Sequence, residues 1–265
     1  MIKDITIGQY LPGDSFVHRL DPRVKIILSF LLIAIIFVLD NFIGYFIIGV
    51  ATLIIIQIAK IPRKYIFKGL KPILWIIVFT AALNMFMTPG VPLYKLGPLT
   101  ITEKGLYLSA FMVLRLIFLI VTTSLLTLTT SPIALTDGIE QLLEPFKKIG
   151  LPAHELAMMM TIALRFIPTL MDETDKIMKA QTARGADFES GNLVKRTRNL
   201  IPILVPLFIS SFRRADELAM AMEARCYRGG KGRTRMKQLK ICKRDYIALF
   251  SITMLLVVAI YSRQL

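Results

Sequence analysis

The chain has 265 residues, of which 55% are hydrophobic, and it carries a formal net charge of +15 at pH 7. Its mean hydropathy is +0.62, and the apolar residues are spread over several runs, which indicates a polytopic membrane protein. The positive charge lies beside these runs, as anionic headgroups favour, and no nucleic-acid-binding module is recognisable, so we expect the lipid bilayer and no nucleic acid as a partner.

Five apolar runs, taken in chain order, predict membrane-spanning helices. A helix needs about 20 residues to cross the hydrocarbon core, so some of these spans are short. The runs cover residues 26–39, 42–59, 73–87, 106–128 and 246–261. About 23 polar or mixed residues precede the first run, and no small-residue cleavage site follows it, so we expect no removable signal peptide.

Two further apolar runs contain charges or prolines. Arg165 and Pro168 interrupt residues 156–171, and two prolines interrupt residues 200–212. A proline removes a helix hydrogen bond, so we expect Pro168 to bend its segment. These two runs could cross the membrane, dip into it or lie on its surface.

The connections between the runs alternate in basic content, which predicts their side of the membrane. Residues 60–71 contain five Lys and Arg, residues 88–105 contain two, and residues 171–244 contain 17 against eight acidic residues. Because basic connections stay in the cytoplasm, residues 60–71, residues 171–245 and the N-terminus are expected there. Residues 88–105 and the C-terminal Leu265 are expected outside the cell.

This pattern predicts three regions in the chain. Residues 1–130 form an N-terminal transmembrane region, residues 131–245 form a cytoplasmic-side region with membrane-dipping or interfacial helices, and residues 246–265 form a last transmembrane helix. The fold class is therefore all-α, with about five transmembrane helices and two cytoplasmic amphipathic helices.

Side chains that could carry out catalysis are missing from the predicted spans. The five spans contain no Asp or Glu in their interiors, and both histidines, His18 and His154, lie outside them. Buried ionisable groups usually mark membrane enzymes and ion-coupled transporters. The Gly-rich residues 229–232 do not match a phosphate-binding loop, so any ATP hydrolysis coupled to this chain is expected on another chain. Cys226 and Cys242 are expected to be free thiols without a zinc site.

The most informative feature is a repeat near the C-terminal end. Residues 177–185 read IMKAQTARG and residues 218–226 read LAMAMEARC, at an offset of 41 residues. In each copy two alanines and an arginine share a helical face, because they stand at positions i, i+3 and i+4. The small side chains let a partner approach, and Arg184 or Arg225 can form a bidentate pair with a carboxylate. A solvated cation at a helix end is the alternative for each arginine taken alone.

The residues around this repeat predict its local structure. Acids and lysines at helical spacing before the first copy indicate an exposed amphipathic helix, and residues 216–225 indicate a second one. Gly185 can supply a left-handed cap at the first helix end. Cys226 cannot do so at low energy, so we expect the second helix to continue to Gly229.

Together with other segments, the repeat resembles a known family. Residues 18–25 read HRLDPRVK, including Asp21 and Arg23, and residues 164–168 read LRFIP. With Ala183, Arg184 and Gly185 and their counterparts Ala224, Arg225 and Cys226, they are similar to the transmembrane T component of energy-coupling factor transporters. The resemblance extends from about residue 8 to the last span, and Cys226 departs from the Gly of the family pattern.

The resemblance implies an all-helical scaffold with no catalytic role and no cofactor of its own. It would join two cytoplasmic ABC-type ATPases, which hold ATP and Mg, to a small membrane protein, the S component, that binds a vitamin or related micronutrient. The six motif residues would dock coupling helices in grooves on the ATPases.

Other residues are candidates for structural support or for contact with another subunit. Arg115, within the fourth span, either pairs with a carbonyl inside the chain, snorkels or contacts another subunit. The further candidates are Asp21, Arg23, Arg165 and Pro168. A self-sufficient secondary transporter and a membrane-embedded enzyme remain the alternative hypotheses.

Overall fold

The computed structural model describes residues 10–96, 99–186, 188, 193–229 and 239–262. Within these ranges the chain forms nine α-helices and one β-hairpin. The helices are α1 Pro22–Val38, α2 Phe42–Ala59, α3 Arg63–Leu70, α4 Leu74–Met87, α5 Glu103–Thr129, α6 Pro132–Leu143, α7 Ala153–Ala183, α8 Leu193–Ala224 and α9 Lys243–Ser262. Short 3-10 helices cover Lys71–Ile73 and Glu144–Ile149. The prediction of an all-α polytopic membrane protein is confirmed.

Two compact units divide the chain. Among the described residues, the core unit comprises residues 10–138 and 239–262, and the arm unit comprises residues between 139 and 229. Four helical segments of the described residues are long and apolar enough to cross a membrane by length and composition, and all four belong to the core unit. They are Phe42–Ala59, Arg63–Met87, Glu103–Thr129 and Lys243–Tyr261.

The first predicted span corresponds to a short helix. Helix α1 has 17 residues, which corresponds to about 26 Å at 1.5 Å per residue, slightly less than the hydrocarbon core. It begins where Pro22 takes the first helical position and the Asp21 carboxylate accepts the N–H of Arg23, a local arrangement that favours helix initiation. Its buried residues, among them Val24, pack with α5 and α9 in the core unit.

Within the core unit, helix α3 packs on its neighbours through one face. Ile66 and Leu70 contact a buried cluster formed by the end of α2 and by α5, which includes Val121 and Leu128. The basic residues of α3, Arg63, Lys64 and Lys68, are exposed. The α3–α4 segment therefore combines a basic, amphipathic start with an apolar continuation.

The connection between α4 and α5 contains an antiparallel hairpin that the sequence analysis did not predict. Strand β1 covers Pro92–Leu96, strand β2 covers Leu99–Thr102, and Leu96 pairs with Leu99 in the register. Strands of four and five residues carry too short an alternation of apolar and polar residues to be distinguished from a loop.

In the arm unit, both apolar runs that contain prolines lie within long helices. Helix α7 has 31 residues and contains Pro168, and helix α8 has 32 residues and contains Pro202 and Pro206. Each helix joins an apolar run to the charged segment that follows it. A proline removes one hydrogen bond of the ladder, and a long helix can continue on both sides of it.

Candidate functional site

The end of α7 has the geometry of a Schellman cap. The N–H of Gly185 donates to the carbonyl of Thr182 at 2.9 Å, and the N–H of Ala186 donates to the carbonyl of Gln181 at 3.0 Å. This pair of bonds satisfies carbonyls that a helix end otherwise leaves open. Gly185 has a φ of 88°, so the predicted left-handed cap is confirmed.

The end of α8 repeats this geometry residue by residue. The N–H of Cys226 donates to the carbonyl of Glu223 at 2.8 Å, and the N–H of Tyr227 donates to the carbonyl of Met222 at 3.0 Å. Each of these four residues lies 41 positions after its counterpart in the first cap. The two copies in the sequence are therefore two copies of one backbone structure.

The expectation that α8 continues to Gly229 was wrong. The helix ends at Ala224, and Cys226 itself takes a left-handed φ of 55°. A non-glycine residue loses about 1–2 kcal/mol in this conformation, but the two cap hydrogen bonds offset that loss. Cys226 is a free, exposed thiol, so no contact of a buried side chain opposes the cap.

Both motif ends present their side chains to solvent. Ala183, Arg184, Ala224 and Arg225 are all exposed. Among the ion pairs of the described residues, none involves either arginine. The face that the sequence analysis predicted is therefore accessible in both copies, with small side chains beside a guanidinium.

A polar link joins the two helices that carry these ends. Glu173 of α7 accepts a hydrogen bond from the Ser210 hydroxyl at 2.5 Å and one from the Arg214 guanidinium of α8 at 2.7 Å. The Ser210 hydrogen bond, followed by the charge of Arg214, lowers the pKa of the Glu173 carboxyl. The Glu173 side chain is 22% exposed and that of Arg214 is 40% exposed. We refer to Glu173, Ser210 and Arg214 as the arm link.

The arm link lies at equivalent positions of the repeat. Glu173 and Arg214 are 41 residues apart, which is also the offset between the motifs. Arg184 follows Glu173 by eleven residues and Arg225 follows Arg214 by eleven residues, or about 16 Å along each helix at 1.5 Å per residue. The two motif ends therefore stand at equal distances from one shared contact.

Sequence reasoning missed the arm link, although a signal for it was present. Glu173 was assigned only to pairs within its own helix. Extending the alignment upstream by a few residues places Glu173 opposite Arg214, and opposite charges at equivalent positions of a repeat suggest that the copies meet.

An open apolar groove runs along α8 ahead of its motif. It has a volume of about 620 Å³ and is lined by Val205, Phe208, Ile209, Phe212, Arg213 and Asp216. Phe208 is 64% exposed. Apolar side chains of this size on one helical face can contact lipid or another apolar helix.

Arg165 and Pro168 lie on α7, upstream of the arm link, and both are exposed. The described structure gives neither a contact that assigns it a role. Near the start of the same helix, His154 is hydrogen-bonded through Nδ1 to Glu140 at 2.9 Å, and its Nε2 lies 3.4 Å from the Tyr227 hydroxyl. Tyr227 is the last residue of the second cap, so this contact ties that helix end to the beginning of α7.

Asp21 and Arg23 lie in the core unit and contact each other. The Asp21 carboxylate accepts two hydrogen bonds from the Arg23 guanidinium, at 3.0 and 3.1 Å. The backbone N–H of Asp21 donates to the buried Asp245 at 2.8 Å, and Arg23 also reaches the carbonyl of Leu239 at 3.3 Å. These contacts fasten the start of α1 to the start of α9.

The neighbouring Lys25 is buried, and sequence reasoning missed it. Its ammonium donates to the carbonyls of His18 and Thr129 at 3.0 and 2.9 Å. The segment that carries the family resemblance near the N-terminus therefore organises the core unit through buried polar contacts, which are stabilising only because they are satisfied.

Arg115 of α5 has partners in the core unit. Its Nε donates to the Tyr45 hydroxyl at 3.1 Å, and its Nη2 donates to the carbonyl of Leu39 at 3.3 Å. The same Nη2 lies 3.8 Å from the Asp40 carboxylate. Pairing with a carbonyl was one of the alternatives for this residue, and it is the one that the structure contains.

Among the described residues, no group of three His, Cys, Asp or Glu side chains is placed to hold a metal ion. The geometry of the site consists of two equal helix ends with exposed arginines, and a link between the helices that carry them. The two helix ends therefore offer accessible cationic side chains on helices that a polar contact joins.

Known proteins resemble this chain over nearly its whole length. The family described as CbiQ, cobalt transport protein, matches residues 13–236. A protein of Clostridium kluyveri named energy-coupling factor transporter transmembrane protein EcfT is 66% identical over 265 residues, covering 99% of this chain and 98% of the relative. Proteins of the same name from Thermosediminibacter oceani and Bacillus subtilis are 62% identical over 262 residues and 49% identical over 264 residues. They cover 99% of this chain in both cases, and 99% and 100% of the relatives. The chain therefore belongs to the family of energy-coupling factor transporter transmembrane proteins.

Proposed function

We propose that this chain is the scaffold and coupling subunit of an ATP-driven importer, and that its two motif ends dock on two cytoplasmic ABC-type ATPases. The proposal rests on one observation: the ends of α7 and α8 have the same backbone geometry, the same exposure and the same distance from the arm link. Two equivalent docking elements suit two related partners. ATP and Mg would be bound by those partners.

Arg184 and Arg225 are proposed to pair with acidic groups in grooves on the ATPases. Ala183 and Ala224 admit the partner surface close to the helix, and Gly185 and Cys226 end each helix so that the arginine stands at its tip. A guanidinium fits a carboxylate with two parallel hydrogen bonds, which a lysine cannot reproduce. Loss of a desolvated partner of this kind weakens an interface by a few kcal/mol, about 2–5.

The coupling region, residues 131–245, is proposed to be cytoplasmic-side, with the N-terminus also in the cytoplasm. The distribution of basic residues supports this orientation. ATPase closure would move the two motif ends, and the apolar parts of α7 and α8 would pass that movement to a small membrane protein, the S component, which binds a vitamin or related micronutrient. The exposed apolar groove on α8 is a suitable contact for such a partner.

Co-purification and uptake test this function. Arg184→Ala and Arg225→Ala are each expected to weaken association with the ATPases and coupled uptake, and the double variant is expected to lose both. Arg184→Lys and Arg225→Lys serve as matched controls that keep the charge and remove the bidentate geometry, so an intermediate loss is expected. Full ATPase association and full uptake in the Ala double variant would disprove the docking role.

Movement of the arms is tested separately. Spin labels on cysteines that replace Lys179 and Met220, in a chain whose exposed Cys226 and Cys242 are replaced by alanine, report the distance between the two arms in the assembled complex. We expect this distance to change between the nucleotide-free and ATP-trapped states, and a cross-link between the arms to stop uptake while assembly persists. An unchanged distance would favour a rigid scaffold that rotates as one body.

A further inference from the structure

Several equivalent positions of the two repeated segments carry opposite charges. This feature appears only when the two helices are compared with each other. At an offset of 41 residues, three charged positions of α7 align with the opposite sign in α8, and a fourth, Asp175, aligns with the like charge of Asp216. The three opposite pairs are Asp172 and Arg213, Glu173 and Arg214, and Lys176 and Glu217. Two identical copies in contact at equivalent positions would instead bring like charges together, which is unfavourable.

The arm link uses one of these pairs, and its geometry is directional. The Glu173 carboxylate accepts one hydrogen bond from Ser210 and another from Arg214, on separate oxygens. A shift of α8 by one helical turn, about 5.4 Å, would break both bonds at once. Apolar contacts are non-directional and tolerate such sliding far better.

We propose that Glu173, Ser210 and Arg214 fix the crossing point of α7 and α8, so that movement applied at one motif end turns the arms about this point and does not slide one helix along the other. This inference rests on the proposed coupling function of the arms. The equal distance from the link to Arg184 and to Arg225 gives both motif ends the same lever length. In this proposal the three residues hold the motif helices in position and do not contact the ATPases themselves, so they are positioning residues.

Reversal and exchange of the two charges test the link in the assembled complex. Glu173→Arg and Arg214→Glu each place like charges together, whereas the double variant restores the attraction with its direction reversed. Double-mutant comparison isolates the interaction of the two side chains. We expect each single variant to broaden the distance distribution between labels at positions 179 and 220 and to lower uptake about tenfold, with recovery to within about threefold in the exchange variant.

ATPase co-purification separates this inference from the docking role. The single variants keep Arg184 and Arg225, so they are expected to retain their ATPases while uptake falls. Glu217→Lys is a matched control, because Glu217 is exposed and forms no ion pair among the described residues, although it aligns with Lys176. It is expected to leave the distance distribution and uptake unchanged.

Two results would overturn the proposal: single reversals that leave the distance distribution and uptake as in the original chain, or an exchange variant no better than the worse single variant. If a reversal prevents accumulation of the protein, Glu173→Gln and Ser210→Ala weaken the same bonds without placing like charges together. Unchanged distances in both of these milder variants would also contradict the proposal. Retention of the ATPases by the Arg184→Ala, Arg225→Ala double variant would instead contradict docking. The arm link would then still be tested by comparing the single reversals with the exchange variant.

Discussion

Replacing Cys226 by glycine is expected to stabilise the end of α8. Cys226 holds a left-handed φ of 55°, a conformation that is unfavourable by about 1–2 kcal/mol for a residue with a Cβ. Glycine removes this strain, but its greater freedom in the unfolded chain lowers stability by about 0.4–1 kcal/mol. Relief of the strain outweighs this loss, so the net gain is about 0.5–1 kcal/mol at the cap.

Hydrogen–deuterium exchange over a peptide that contains residues 219–229 measures this gain locally. A stabilisation of this size slows exchange that occurs through cap opening by about two- to fivefold, since RT is about 0.59 kcal/mol. Cys226→Ala is the matched control, because it removes the sulfur and keeps the Cβ, and it is expected to exchange like the original chain.

Gly185→Ala provides the opposite test at the equivalent position. Gly185 has a φ of 88°, and a Cβ there would meet nothing within 4 Å, so the effect would come from the backbone alone. We expect faster exchange at the end of α7 in this variant. Equal exchange in Cys226→Gly and Cys226→Ala, or no change in Gly185→Ala, would refute the argument from left-handed strain.

Three further predictions concern the core unit and the topology. Asp245→Ala leaves two backbone N–H donors without their acceptor and is expected to destabilise the core unit by about 2–4 kcal/mol, measured by denaturant unfolding in detergent; an effect below about 0.5 kcal/mol would contradict this. Tyr45→Phe removes the hydroxyl that accepts from Arg115 and should reduce stability by about 1–2 kcal/mol, whereas Tyr107→Phe, with its exposed hydroxyl, should change it by less than about 0.5 kcal/mol; similar losses in both would argue against the Arg115 contact. A single cysteine at position 235 in a Cys-free background is expected to resist impermeant reagents in intact cells, and its labelling would reverse the proposed orientation.

Local physics explains why much of this protein was predictable from its sequence. Apolar runs of sufficient length indicate transmembrane helices whatever their neighbours, and four of the five predicted runs lie in segments long and apolar enough to cross a membrane. The Ala-Arg motifs were recognisable because the spacing of Ala180, Ala183 and Arg184 defines a helical face without tertiary information. The left-handed cap at Gly185 followed from glycine alone.

Other features depend on residues far apart in the chain. The partners of Asp21 include Asp245, and those of Arg115 lie 70 or more residues away, so sequence spacing left their roles open. Lys176, at i+3 on the same helix, offered Glu173 an equally good partner until the structure showed Arg214 beside it.

The membrane class, the helical fold and the two motif ends were predictable from the sequence, because hydropathy, helical periodicity and glycine conformation act over a few neighbouring residues. The folded structure was needed to show that α7 and α8 continue through their prolines, that Cys226 adopts the glycine conformation and that Glu173 joins the two arms. At Cys226 two cap hydrogen bonds offset the strain of the left-handed conformation, and at Glu173 the partners lie 37 and 41 residues away, so the preference of the single residue did not set the outcome.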